Sequence, residues 1–229
     1  MPKVASPSAT LDLPPPFRLV TLREAGDAFA HAQAIAPSAG AGTLARVGRV
    51  DLAEFAVVLE PDEPLRSIRR VVHAGSLALL DALAALAPPR CDLGLAWPAD
   101  IQADGRTVGA ARLACPAGCD EGETPAWVVF GAVLRTTSIG DGSWPPHALD
   151  DLGFDAVDSG QLVERCARHL LVALEGWTPE GFGSVAHRYL RCLTLEKGGV
   201  PNLYDNGDLL IQRPGQDAER RSLADALHG

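Results

Sequence analysis

The spacing of apolar positions changes along this chain in a way that separates strands from helices. Phe17 to Leu22 is short and apolar and reads as a first segment, while Ala25, Ala28, Phe29 and Ala32 share one face of a helix expected over Glu24 to Ile35. Pro37 and the Ser38-Ala39-Gly40 cluster are expected to end that helix. Thr43 to Val50 and Glu54 to Glu60 read as two strands, the second rich in the β-branched residues that suit a sheet interior. Asp62-Glu63-Pro64 has the chemistry of a helix start, since carboxylates favour the positive end and proline is preset for the first turn. Leu65, Ile68, Val72, Gly75, Leu79, Leu83 and Leu86 then recur at helical spacing and predict one long core helix, closed by Pro88-Pro89.

From Leu93 to Cys115 the pattern predicts a hairpin. Leu93, Leu95 and Trp97 alternate with small residues, Ala103-Asp104-Gly105 supplies the turn, and Arg106 to Cys115 extends again. A polar loop from Pro116 to Pro125 leads into a buried strand from Trp127 to Leu134. Residues 136 to 158, with Gly140, Gly142, Pro145, Pro146 and Gly153, read as an irregular excursion long enough to be suspected of lining a site. Ser159 can cap a helix over Gln161 to Leu174, and Thr178-Pro179 opens a second with Phe182, Val185, Tyr189 and Leu193 on one face. Past Thr194 short strands take over, with Asn206-Gly207 as a hairpin turn. This order predicts an α+β fold, a mixed sheet with helices packed on one face. It divides into a flexible Pro/Ser/Ala-rich leader over residues 1–16, a core over 17–193, and a small β module over 194–229.

Charge and cysteine usage narrow the function. A net charge of -9 excludes a nucleic-acid partner, because phosphate binding needs basic surface. No apolar run approaches the ~18 residues that would span a bilayer, so no membrane role is expected. The five cysteines (Cys91, Cys115, Cys119, Cys166 and Cys192) are odd in number and scattered, and the N-terminus does not resemble a secretion signal; the expected setting is the cytoplasm. Cys115 and Cys119 have no second pair, and the histidines form no ligand spacing, so no metal is expected. His147 is the histidine that falls in the irregular excursion. Lys3 and Lys197 are the only lysines, which leaves no ammonium group between residues 4 and 196.

Trp97-Pro98-X-Asp100, Gly105-Arg106 and Gly109 resemble the central hairpin of the biotin and lipoate protein ligase family, which runs Lys-Trp-Pro-Asn-Asp, a short turn, then Gly-(Arg)-Lys-X-Ala/Gly-Gly. The resemblance spans roughly residues 17 to 213, and Asp205 to Leu210 is similar to the Asp-X-X-Gly-X-Leu-Leu hairpin of that family's C-terminal cap. It implies a class II synthetase-like catalytic core with an SH3-like C-terminal module. It also implies biotin, lipoate or an acyl-adenylate as ligand and a biotinyl or lipoyl carrier domain as partner. In such ligases an acid and ATP form an acyl-adenylate that a carrier lysine attacks. A carboxylate and a triphosphate repel, so the site must supply fixed positive charge. Here the family's Gly-Arg-Gly-Arg-X-Gly-Arg-X-Trp loop falls on Thr43 to Asp51, where Arg46, Gly48 and Arg49 match but Leu44 and Asp51 stand in place of an arginine and the tryptophan. Both hairpin lysines are replaced, by Ala96 and Thr107; Ala99 stands for the asparagine and Ala110 for a glycine. Gly131 to Arg135 lacks the asparagine of the family's Gly-X-Gly-X-Asn. Strand alternation sends Arg112 to the face opposite Thr107, which removes it as a substitute, and puts Arg46 and Arg49 on opposite sides.

The resemblance therefore implies a ligand-binding set of Arg46, Arg49, Trp97, Asp100, Thr107, Gly109, Ala110 and Phe130, with a cavity expected near Arg46, Trp97, Gly109 and Phe130. Asp100 and Cys115 are the catalytic candidates, although Trp97 also reads as core filler, Asp100 as a turn residue and Cys115 as a structural cysteine. Three functions stay open. One is a ligase-like protein that keeps the acyl pocket, with ATP-dependent adenylation weak or lost. Another is an octanoyl or lipoyl acyltransferase using a cysteine. The third is a non-catalytic module that binds a carrier domain.

Overall fold

Antiparallel pairing dominates a seven-stranded sheet. The structure is a computed structural model that describes residues 11–139, 144–195 and 198–228. Lys3, Lys197, Gly140, Gly142 and residues 1–10 of the leader lie outside the described residues. The strands are β1 (Arg18–Leu22), β2 (Thr43–Val47), β3 (Leu52–Leu59), β4 (Leu93–Ala96), β5 (Asp100–Ala103), β6 (Arg106–Ala114) and β7 (Val128–Arg135), in the spatial order β1-β2-β3-β7-β6-β5-β4. Helix α1 (Ala28–Ala39) connects β1 to β2, the one parallel pair of the sheet.

Alternation along β3 and β7 assigns the two faces. Phe55, Val57, Phe130, Ala132 and Leu134 point toward α3 (Val71–Ala84) and α4 (Ser159–Glu180), where they join Leu79, Leu83 and Leu162 in the main core. Gly75 of α3 sits where any side chain would strike the Phe130 ring, so the helix rests directly on β7. On the other face Ala45, Ala56, Val58 and Val129 meet Ala28, Ala32 and Ala36 of α1. Helix α1 packs on β2, β3 and β7. The candidate site lies on that face too, running from the N-terminus of α1 across β3 and β7 to β6 and β5.

Several boundaries differ from the sequence reading for local reasons. Helix α1 starts at Ala28 because the Asp27 carboxylate accepts the Ala30 N–H at 2.8 Å, and Pro37 lies inside its last turn, on the exposed side. The long core helix is two, α2 (Leu65–Ile68) and α3, because Arg69 and Arg70 tighten the backbone between them while pairing with Glu121 and Glu63. The expected hairpin is a three-stranded meander: the chain turns at Trp97-Pro98-Ala99, so β4 pairs back on β5 with Ala96 opposite Asp100. Helix α4 passes through Thr178-Pro179 to Glu180, and Gly181, at φ 67°, makes the break before α5 (Phe182–Cys192).

The C-terminal strands β8 (Val200–Leu203), β9 (Leu209–Gln212) and β10 (Glu219–Arg221) form a second, three-stranded sheet followed by α6 (Leu223–His228). It is fused to the core. Leu223 belongs to the main hydrophobic cluster, the His73 ring lies 3.1 Å from the Gly207 carbonyl oxygen, and Arg70 donates to the Asp205 carbonyl oxygen at 2.7 Å. Asp208, almost fully buried, accepts the Leu223 N–H at 2.8 Å and both ends of an Arg220 fork. The leader is also tied down from Leu11 onward. Leu11 and Leu13 pack on the core, and Asp12 bonds Glu164 and Arg168, so these residues of the expected 1–16 leader are held against the core. No described helix is long and apolar enough to cross a membrane.

Candidate functional site

The geometry of the site turns on one residue of β6. Gln102 pairs with Thr107, but the next residue back, Ile101, pairs with Gly109, which leaves Val108 as an unpaired insertion. Such a bulge resets the alternation of the strand. Thr107, Ala110 and Arg112 consequently share one face, together with Ala96, Asp100 and Gln102 of the neighbouring strands. The expectation that Arg112 faces away from Thr107 is thus corrected, because simple alternation fails across Val108.

On this face, beside the N-terminus of α1, a groove of about 220 Å³ is lined by Gly26, Asp27, Phe29, Leu52, Glu54, Phe55, Arg112, Gly131, Ala132, Val133 and Trp144. The floor is apolar, and Gly131 is required there because a Cβ would run into the Phe29 ring. Three ionisable side chains face into it. Glu54 accepts the Ala28 N–H at 2.8 Å, and its pKa is raised by burial first and by the charge of Asp27 second, against the opposing pull of that hydrogen bond, Arg49 and Arg112. Arg112 is exposed and lies with its guanidinium carbon 5.6 Å from the centroid of Trp144, a cation–π contact. Asp27 is committed to capping α1. Farther along the same face, burial raises the pKa of Asp100, and the buried Oε1 of Gln102 accepts no hydrogen bond from a described residue.

The sequence-derived residues divide between the two faces. Asp100, Thr107 and Ala110 lie on the groove face. Arg46, Gly109 and Phe130 face the helix side of the sheet and not the groove. Arg46 is buried against the start of α4, where burial lowers its pKa while Asp158 and Glu164 oppose the shift. Phe130 is fully buried beneath α3, and Trp97 packs 5.4 Å from the His73 ring. Arg49 lies beyond the end of β2 and holds Asp51 in a two-pronged pair at 2.9 and 2.5 Å, so the residue at the family's tryptophan position neutralises one of its arginines. Cys115 packs with Leu65, Ile68 and Val71 on the helix side of the sheet, and burial raises its pKa. His147 donates its backbone N–H to the Thr107 carbonyl oxygen at 3.3 Å. No cluster of metal-ligating side chains occurs among the described residues.

Sequence reasoning missed Glu54, Arg112 and Trp144. Glu54 had a signal, as the lone charge inside the apolar run Leu52 to Leu59. Arg112 was hidden by the bulge, and Trp144 by the irregular chain around it.

Three comparisons place this architecture among known proteins. A family profile described as the biotin/lipoate A/B protein ligase family matches residues 13–191. Among solved structures, a biotin protein ligase-like protein of unknown function from Silicibacter sp. TM1040 superposes with a TM-score of 0.83 at 24% identity, covering 95% of this chain and 99% of that one. Biotin protein ligase from Aquifex aeolicus superposes at 0.66 with 16% identity, covering 90% of this chain and 100% of that one. The same enzyme in complex with biotin and ATP superposes at 0.67 with 14% identity, covering 89% and 94%. At these identities the solved structures bear on the fold. A search of curated proteins finds no match.

Proposed function

From the premise that this chain belongs to the biotin/lipoate A/B protein ligase family, we propose that it is a ligase-like binding protein. It holds a small carboxylic acid or acyl group of the biotin or lipoate kind in the groove beside α1 and does not activate that acid with ATP at a useful rate. The carrying observation is the charge of the groove face. Ala96 and Thr107, the positions of the family's two hairpin lysines, both lie on it, so a methyl and a hydroxyl stand where the resemblance calls for ammonium groups. The lining holds Asp27 and Glu54 against Arg112 alone, a net negative pocket among the described residues. A unit of phosphate charge held about 6 Å from an unpaired carboxylate meets roughly 3 kcal/mol of repulsion at an effective dielectric of 20. A triphosphate multiplies that cost. One monocarboxylate facing Arg112 escapes it.

The ligand contacts proposed are Asp100, Thr107 and Ala110 on the groove face together with Glu54, Arg112 and Trp144. Arg46, Arg49, Trp97, Gly109 and Phe130 support the sheet that carries them. A carrier domain is the partner class implied by family membership, and the cytoplasm is the proposed setting. The cysteine acyltransferase alternative gains no observation, since Cys115 packs on the opposite side of the sheet from the groove. Calorimetry with biotin and lipoate, paired with acid-dependent exchange of labelled pyrophosphate into ATP, tests the proposal. Binding without exchange is expected. Acid-dependent exchange, or transfer of label to an apo-carrier domain, overturns it.

A further inference from the structure

The groove is polar at two separated points with an apolar floor between them, and that pattern specifies more than an acid. Glu54 and Arg112 lie on the same face of the sheet, two strands apart: Glu54 is opposite Val133 of β7, and Arg112 is opposite Gly131 of the same strand. From the spacing of strands and the rise along them, their Cα atoms are roughly 12 Å apart. Neither group is spent on the other. Glu54 uses Oε1 for the Ala28 N–H, and no described residue donates to its Oε2. Arg112 contacts the Trp144 ring and gives no hydrogen bond to a described residue, so its donors remain available. Phe29, Gly131 and Val133 line the groove with them.

We infer that the groove selects acids that carry an N–H donor or ammonium group at the end remote from the carboxylate, with Arg112 taking the carboxylate, the apolar floor taking the methylenes and Glu54 taking the donor. The inference rests on the proposed reading of this groove as an acid-binding site. Its chemistry is complementary at each point. A guanidinium offers paired donors that match a carboxylate. A half-buried carboxylate with one oxygen already fixed by backbone is an oriented acceptor, and Asp27 close by adds negative potential that favours a cation there. An acid ending in a methyl or a dithiolane leaves Glu54 desolvated and unanswered, which is the costly outcome for a buried charge.

The test is a matched pair of probes. Binding of 6-aminohexanoate and hexanoate, and of biotin and lipoate, is measured by calorimetry at pH 7.5 on the full chain and on Glu54→Gln and Arg112→Gln. On the unaltered chain, 6-aminohexanoate and biotin are expected to bind about tenfold or more tightly than their partners, the difference made by one hydrogen bond to a charged group. Glu54→Gln should reduce that ratio severalfold while leaving hexanoate binding intact or improved. Arg112→Gln, on an exposed side chain whose loss does not threaten folding, should weaken all four acids together. Equal binding of the matched acids, or a ratio unmoved by Glu54→Gln in a variant that unfolds normally in urea, overturns the selectivity and leaves the acid-binding reading standing. Failure of all four acids to bind the unaltered chain overturns both.

Discussion

Acid should loosen this protein through His73 before it reaches the carboxylates. His73 is fully buried in α3, its ring tilted against those of Tyr189 at 4.3 Å and Trp97 at 5.4 Å between centroids, with its Nε2–H directed at the Gly207 carbonyl oxygen. Burial pushes its pKa down to about 4, the Gly207 carbonyl opposes the shift and Arg70 adds to it. In the unfolded chain the same imidazole titrates near 6.5. Above that pH both states are neutral and the group contributes nothing to the pH dependence. Between about 6.5 and 4 the unfolded state takes up a proton that the folded state refuses, so stability falls by about 1.4 kcal/mol per pH unit, roughly 3 kcal/mol in all. Below 4 both states are protonated and the loss levels off. Urea denaturation of the full chain and of His73→Gln, in steps from pH 7.5 to 4, reads this directly. The glutamine amide keeps a donor for Gly207 and has no charge to gain. The variant is expected to begin less stable, because it loses the ring contacts, and to lose about 3 kcal/mol less across the window. Other groups act alike in both proteins. Asp51, held low by the Arg49 hydrogen bond, and Asp208, which burial raises but its hydrogen bonds from Leu223 and Arg220 bring down overall, lose their contribution only as the pH falls through the carboxylate range and below. Glu54 and Asp100, raised mainly by burial, favour the folded state as they protonate. Parallel curves for the two proteins would refute the assignment of acid sensitivity to His73.

Two more outcomes follow from contacts already described. Gly75→Ala brings a methyl group into the Phe130 ring; the gain of about 1 kcal/mol in helix propensity is outweighed by overpacking of a tight core, and a net loss of about 1–2 kcal/mol is expected in urea denaturation. Stability equal to or above that of the unaltered chain would show that α3 does not rest on β7 as described. Cys166 is fully buried, with its thiol pushed far up by burial, and should stay unmodified by iodoacetamide at pH 7.5 until urea is added. Cys115, also raised by burial, should react more slowly than a free thiol and form no thioester with an octanoyl carrier protein, as intact-mass spectrometry would report.

Periodicity and turn chemistry were enough to recover most elements, because a face buried against a partner must repeat at 2 or 3.6 residues. The runs Leu52 to Leu59, Val71 to Ala84 and Val128 to Arg135 are cases where that constraint is strong. It was weak where tertiary contacts decide the matter. Nothing in the local pattern announces that Arg69 and Arg70 divide a helix, or that Trp97 and Pro98 turn a strand back on itself. The family motif pointed to the stretch that forms β4, β5 and the start of β6. The motif does not say which side of the sheet a residue serves: Asp100, Thr107 and Ala110 lie on the groove face, whereas Arg46 and Phe130 follow their strands into the core. Glu54 was legible in principle as a charge in an apolar strand, and it was passed over because the motif has nothing to say about it.

Val108 touches nothing in the groove, yet it governs what the groove contains. It divides β6 into two stretches of opposite parity, so counting alternate residues from Arg106 and counting back from Ala114 give contradictory assignments. Deleting that one residue would swing either half through half a turn. With the β7 pairing kept, Thr107 would leave the groove side; with the β5 pairing kept, Arg112 would be driven beneath the helices while Ala111 and Leu113 came to the groove side. Electrical character in this cleft is therefore set by a silent spacer, which a count of motif positions along this chain does not reveal.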